Sequence, residues 1–87
     1  MDTINITLKQ FIIDEFLKPF GTETLEGSYP LFEEGVIDSL GLIILTDFIE
    51  EQFGVKFRQG EVILENFKNF DTIVAVVNQK IREQNKQ

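Results

Sequence analysis

With 87 residues, the chain has room for a single domain, residues 1–87, built on one modest core. Hydrophobic residues make up 43% of it, nine of them Phe, while Cys and His are absent; that excludes disulfides, thiolate chemistry, the usual zinc ligand sets and imidazole acid–base catalysis, and no metal site is expected. Fifteen acids against eight bases give a net charge of −7, a field that repels nucleic acid and anionic lipid and attracts basic protein surfaces.

Residues 4–17 carry Ile4, Leu8, Phe11, Ile12 and Phe16 at one-face helical spacing. Asp2 or Thr3 is placed to cap this helix, Lys18 suits its C-terminal dipole, and Pro19 is expected to stop it. Residues 18–38 lose the period and are punctuated by Gly21, Gly27, Ser28, Pro30 and Gly35. A connection this long in a small domain is either disordered or pinned and functional. Leu25, Tyr29, Leu31, Phe32, Val36 and Ile37 supply apolar anchors, so it is expected to be pinned across the core, with at most one short helical turn.

Residues 39–53 predict a second helix, with Leu42, Leu45, Phe48, Ile49 and Phe53 on one face and Asp47, Glu50 and Glu51 roughly opposite. Leu40, Ile43 and Ile44 fall on the acidic side, which leaves either a helix buried on two sides or a sticky surface kept for partners. Gly54 is a fitting stop. Residues 55–68 read as loop, with a short helix within 60–67 and Val62, Ile63 and Phe67 turned inward. Residues 70–84 predict the last helix, with Phe70, Ile73, Val74, Val77 and Ile81 as its stripe and Asn69 or Asp71 as its cap; residues 83–87 are polar and expected to fray. Three longer helices and a short one, with no credible strand pair, make an all-α four-helix bundle.

Charge is not spread evenly. No Lys or Arg lies between Lys18 and Lys56, a window that holds eight acids. The N-terminus shows no basic region leading into an unbroken apolar run, and no stretch reaches the length of a membrane span. A cysteine-free chain of this kind reads as cytoplasmic and free of the membrane.

Self-contained catalysis finds little footing. Ser39 has no His to deprotonate it, and an unassisted serine hydroxyl is a poor nucleophile. Glu33 and Glu34 are adjacent acids of a solvated kind. Gly35 stands alone rather than in a phosphate-cradling loop, and Asp38, Asp47 and Glu50 lack calcium-loop spacing. Taken alone, Ser39 is most simply a helix N-cap.

Its context says more. Leu31-Phe32-Glu33-Glu34-Gly35-Val36-Ile37-Asp38-Ser39-Leu40 resembles the phosphopantetheine attachment motif of the acyl carrier and peptidyl carrier proteins. The likeness continues through Leu42, Leu45 and Ile49-Glu50-Glu51-Gln52-Phe53-Gly54-Val55, then Asn66-Phe67 and Asp71-Thr72-Ile73, nearly the whole chain. The resemblance implies an acyl-carrier-type bundle with a long first loop. It implies that a phosphopantetheinyl transferase places 4′-phosphopantetheine from coenzyme A on Ser39, aided by Asp38. The arm's thiol then carries an acyl or aminoacyl thioester, and the protein itself is not an enzyme. It further implies that loading and processing enzymes with basic patches read Leu40, Ile44, Asp47, Glu50 and Glu51, and that the carrier works as a monomer. Ile37, Gly41 and Ile44 stand where the carriers of primary fatty acid synthesis commonly have Ala and acids, and Phe57-Arg58-Gln59 lacks their Pro-acid pattern. These departures point to a stand-alone carrier of a specialised polyketide, peptide, modified-lipid or D-alanyl pathway. The alternative is an unmodified carrier-like interaction subunit.

Overall fold

The computed structural model describes residues 3–85, and among these it is all-helical. Four α-helices follow one another: α1 (Thr3–Ile12), α2 (Ser39–Phe53), α3 (Leu64–Phe67) and α4 (Phe70–Asn85). This is the small helical bundle that the periodicities predict, three longer helices and a short third one. No helix among the described residues is long and apolar enough to cross a membrane.

The first helix differs from expectation at its end. It runs past Ile12 into a π-helical turn over Ile13–Leu17 and a 3-10 turn over Lys18–Phe20. Pro19 does not stop it. A proline in the first turn of a helical segment lacks only an N–H that has no partner anyway, and Pro19 sits in that position of the 3-10 turn. The stop is Gly21, at φ 92°, whose N–H donates to the Lys18 carbonyl. Lys18 stands in this last turn, as expected, and also pairs with Asp14, one turn back, at 3.0 Å. Of the two expected caps, Asp2 lies outside the described residues, and Thr3 is already within α1.

The connection that follows is pinned, and its pins are mostly backbone. Leu31 N–H donates to the Lys68 carbonyl at 2.9 Å and Asp71 N–H to the Gly27 carbonyl at 3.0 Å, tying the loop to the region where α3 gives way to α4. Val36 and Ile37 both donate back to the Leu31 carbonyl. Leu25, Leu31, Val36 and Ile37 are buried and Phe32 packs against them. Tyr29, expected as an anchor, is instead exposed and lies outside the core cluster, bordering a surface groove beside Leu17.

The core gathers Leu8, Ile12 and Phe16 from the first helix, Leu42, Leu45 and Ile49 from α2, and Phe67, Ile73 and Val77 from α3 and α4. Phe11 and Phe48 stack between α1 and α2 with centroids 3.8 Å apart. Ile63 was expected to turn inward, yet it is exposed, as is Leu64; α3 has only four residues, so one buried side chain, Phe67, is enough to seat it. Asn69, not Asp71, caps α4, its Oδ1 accepting from Thr72 N–H at 2.8 Å. α4 continues to Asn85, so the fray expected from residue 83 does not begin there; residues 86 and 87 lie outside the described residues.

Candidate functional site

The site is built where the first connection feeds α2. Asp38 has extended backbone and is the N-cap: its Oδ1 accepts from Gly41 N–H at 2.8 Å, and its carbonyl accepts from Leu42 N–H at 2.8 Å. A capping carboxylate satisfies one of the N–H groups that a helix start leaves without partners. The cap role that Ser39 was expected to take in its simplest reading therefore falls to Asp38. Ser39 becomes the first residue of α2, exposed, with no side-chain hydrogen bond among the described residues. Its hydroxyl stands at the positive end of a 15-residue helix, where an anionic group is favoured.

Just behind Ser39 the wall is tight. A Cβ on Gly41 would come within 3.0 Å of Ile37 Cγ2 and 3.1 Å of Phe16 Cε1. Glycine there lets the Phe16 ring edge press against the first turn of α2. This gives a packing reason for the glycine at which the chain departs from the family pattern it resembles.

Beyond that turn, α2 presents two surfaces side by side. Leu40 is 66% exposed, Ile43 55% and Ile44 36%, so the near-continuous apolar character of α2 means a sticky outer face rather than burial on two sides. Asp47, Glu50 and Glu51 come together along one surface groove of about 340 Å³, with Lys56 on its border. The five residues expected to be read by partners thus lie on this helix, but they are not equivalent. Glu50 is half-buried, and its Oε2 accepts from Phe57 N–H at 2.9 Å; it fastens the loop after α2. Asp47 and Glu51 are exposed. Ile43, left out of the expected set, is more exposed than Ile44.

A second polar cluster went unforeseen. Lys80 of α4 is 3% exposed. Its Nζ lies 2.8 Å from Glu61 Oε1 and 3.7 Å from Glu83 Oε1, and 5.8 Å from the centre of the Phe57 ring. Glu61 also accepts from Arg58 N–H at 2.7 Å, and its own carbonyl accepts from Asn66 Nδ2 at 2.8 Å. The hydrogen bond from Lys80, then that from the Arg58 backbone, holds the Glu61 carboxyl below its ordinary value. A signal existed in the sequence: Lys80 follows Ile73 and Val77 at helical spacing and so lies on the core stripe of α4.

No family model matches the chain, and no curated protein matches it. It is similar to a chain in a solved structure described as "Crystal structure of FAD-dependent dehydrogenase", at 37% identity and a TM-score of 0.70. The match takes in 80% of this chain and 97% of the other, so the other is also a small domain. The two chains belong to one family.

Proposed function

We propose that this protein is a carrier of the acyl carrier type, bearing acyl or aminoacyl intermediates as thioesters on a 4′-phosphopantetheine arm attached to Ser39. The observation that carries the reading is the division of labour at the start of α2. Asp38 does the capping, which leaves Ser39 exposed at a helix N-terminus, where a phosphodiester is electrostatically favoured. The motif resemblance around Ser39 adds the chemistry. With one carboxylate oxygen committed to Gly41 N–H, Asp38 has its other oxygen free to help orient a transferase-bound metal ion and the Ser39 hydroxyl. The transferase supplies the base that a chain without His lacks, and the carrier catalyses no step itself. In this reading it is a cytoplasmic monomer.

Partner enzymes would meet Leu40, Ile43 and Ile44 as the apolar contact, with Asp47 and Glu51 steering basic patches; exposed pairs of this kind set encounter rate and orientation more than affinity. A flavin-dependent dehydrogenase enters the reading as one class of partner, acting on the carried group. This chain shows no strand among its described residues and no Gly-rich phosphate loop, so flavin chemistry would belong to a second protein.

The test is intact-protein mass before and after incubation with coenzyme A, magnesium and a promiscuous phosphopantetheinyl transferase. The expected result is a gain of one phosphopantetheine that is absent in Ser39→Ala. No gain on folded protein would leave an unmodified interaction subunit as the better account. Reversing Asp47 and Glu51 to Lys is expected to slow partner reactions at low salt, with the deficit shrinking as ionic strength rises; a deficit independent of salt would remove the steering role.

A further inference from the structure

Resting on the carrier reading, we infer that the group carried on Ser39 stays outside the bundle, which makes this a carrier of short or polar acyl groups, the aminoacyl class among them, rather than of long alkyl chains. Three observations close the interior to a tail. The first is at the attachment point: a methyl group on Gly41, two residues from Ser39, would already be tight, at 3.0 Å from Ile37 Cγ2 and 3.1 Å from Phe16 Cε1. A chain of methylenes entering there would have to displace a ring edge and the cap beside it.

The second lies between α1 and α2. Phe11 and Phe48 stack at 3.8 Å, Phe16 meets Phe11 edge-on at 6.0 Å, and Phe53 meets Phe48 edge-on at 6.4 Å. Phe11, Phe48 and Phe53 are partly buried and cover the core along this seam; packing of this kind yields to extra methylenes only through strained rotamers and backbone shifts.

The third lies where the segment after α2 meets α3 and α4. Phe57 and Phe67 pack edge to face at 5.7 Å, and the buried Lys80 ammonium sits beside Phe57, bound to Glu61. An alkyl tail entering this space would have to displace the buried Lys80 stem or pull its ammonium from the half-buried Glu61 carboxylate, and both are unfavourable. Surface grooves offer mixed shelter: the one beside Phe32, about 270 Å³, is also bordered by Glu33 and Lys68, and the one beside Leu17 and Tyr29, about 330 Å³, by Thr22, Thr24 and Glu26. A long tail left in water beside Leu40 and Ile43 would promote self-association, whereas a short or polar group tolerates solvent.

The test uses the absence of Cys from the chain. Ser39→Cys provides a single thiol, to which pantetheine-length disulfide reagents ending in acetyl or octanoyl are coupled. Thermal midpoints and amide exchange are then compared between the two conjugates. The expected result is midpoints equal within about 1 °C and equal exchange at Ile49 and Val77. A larger rise for the octanoyl conjugate, with slowed exchange at those core amides, would show the tail inside and overturn the inference. These conjugates need no transferase. Failure of enzymatic labelling would remove the carrier reading, while the closed interior would still stand or fall on the thermal comparison.

Discussion

The two connections that flank α2 are fastened by different chemistry. The first, over residues 21–38, is held by backbone hydrogen bonds such as that from Leu31 to Lys68, and by buried Leu25, Leu31, Val36 and Ile37. The second, over residues 54–63, is held by side chains: Glu50 accepts from Phe57 N–H, Gln84 bonds both the N–H and the carbonyl of Lys56, and Glu61 binds Lys80. Apolar anchors and backbone bonds are indifferent to acid and salt, while the Glu61–Lys80 ion pair is not. The loop that presents Ser39 therefore keeps its shape under conditions that loosen the loop leading to α3.

The sharpest way to break that contrast is Leu31→Ala. Leu31 is fully buried, and its truncation is expected to cost about 2–5 kcal/mol in urea unfolding, equally at neutral and mildly acidic pH. A loss below 1 kcal/mol would mean that the first connection is held by something other than its anchors. Lys80→Ala comes next, at about 1–3 kcal/mol, because it removes the nearer of the two cations of half-buried Glu61 and leaves only the exposed Arg58, at 3.7 Å. Lys80→Met should recover part of this by keeping the packed stem, and equal losses in both variants would assign the whole effect to charge.

The pH arm follows from the sign of the Glu61 shift. Its carboxyl is depressed in the folded protein from an ordinary 4.5. Its contribution is therefore complete above that value and is lost as pH falls through the lower folded value. Urea midpoints measured from pH 6 downward should show an acid-side loss that Glu61→Gln reduces. An unchanged slope in that variant would place the acid sensitivity elsewhere. The smallest effects belong to the end of the first connection, where Asp38→Ala should cost about 1 kcal/mol as a lost cap. Ser39→Ala should cost only a few tenths, since Ser39 does not cap. The reverse order would return the cap to Ser39.

Much of this was legible in the sequence because it depends on local periodicity. The bounds of α2 follow from a capping residue before it, a one-face stripe through it and Gly54 after it. The buried faces of α1 and α4 follow from their stripes. What stayed hidden depends on contacts across the chain. The Lys80–Glu61 pair spans nineteen residues, and a lysine on an apolar stripe is read as an exception until its partner is seen. Glu50 looked like one of three equal surface acids because nothing local reveals that a backbone N–H seven residues on lies within its reach. Pro19 misled because its role differs between the body of a helix and its first turn. At the site, the Asp38-Ser39 pair was visible, but which of the two caps was decided by the backbone at Asp38.

The π-helical turn at Ile13–Leu17 bears on how this chain tolerates changes of length. Lys18 N–H reaches back five residues to the Ile13 carbonyl, so the turn holds one residue more than an α-helix would use. It sends two adjacent pairs inward, Ile12 with Ile13 and Phe16 with Leu17, while Asp14 and Glu15 stay exposed. A helix normally cannot lose a residue without rotating everything beyond the gap by about 100°. Here the surplus should absorb the loss: removing Glu15, which unlike Asp14 holds no partner such as Lys18 or Gln10 among the described residues, is expected to leave a plain α-helical turn with its two flanks still in phase. The first helix carries a spare residue, and an outward-facing one is expendable.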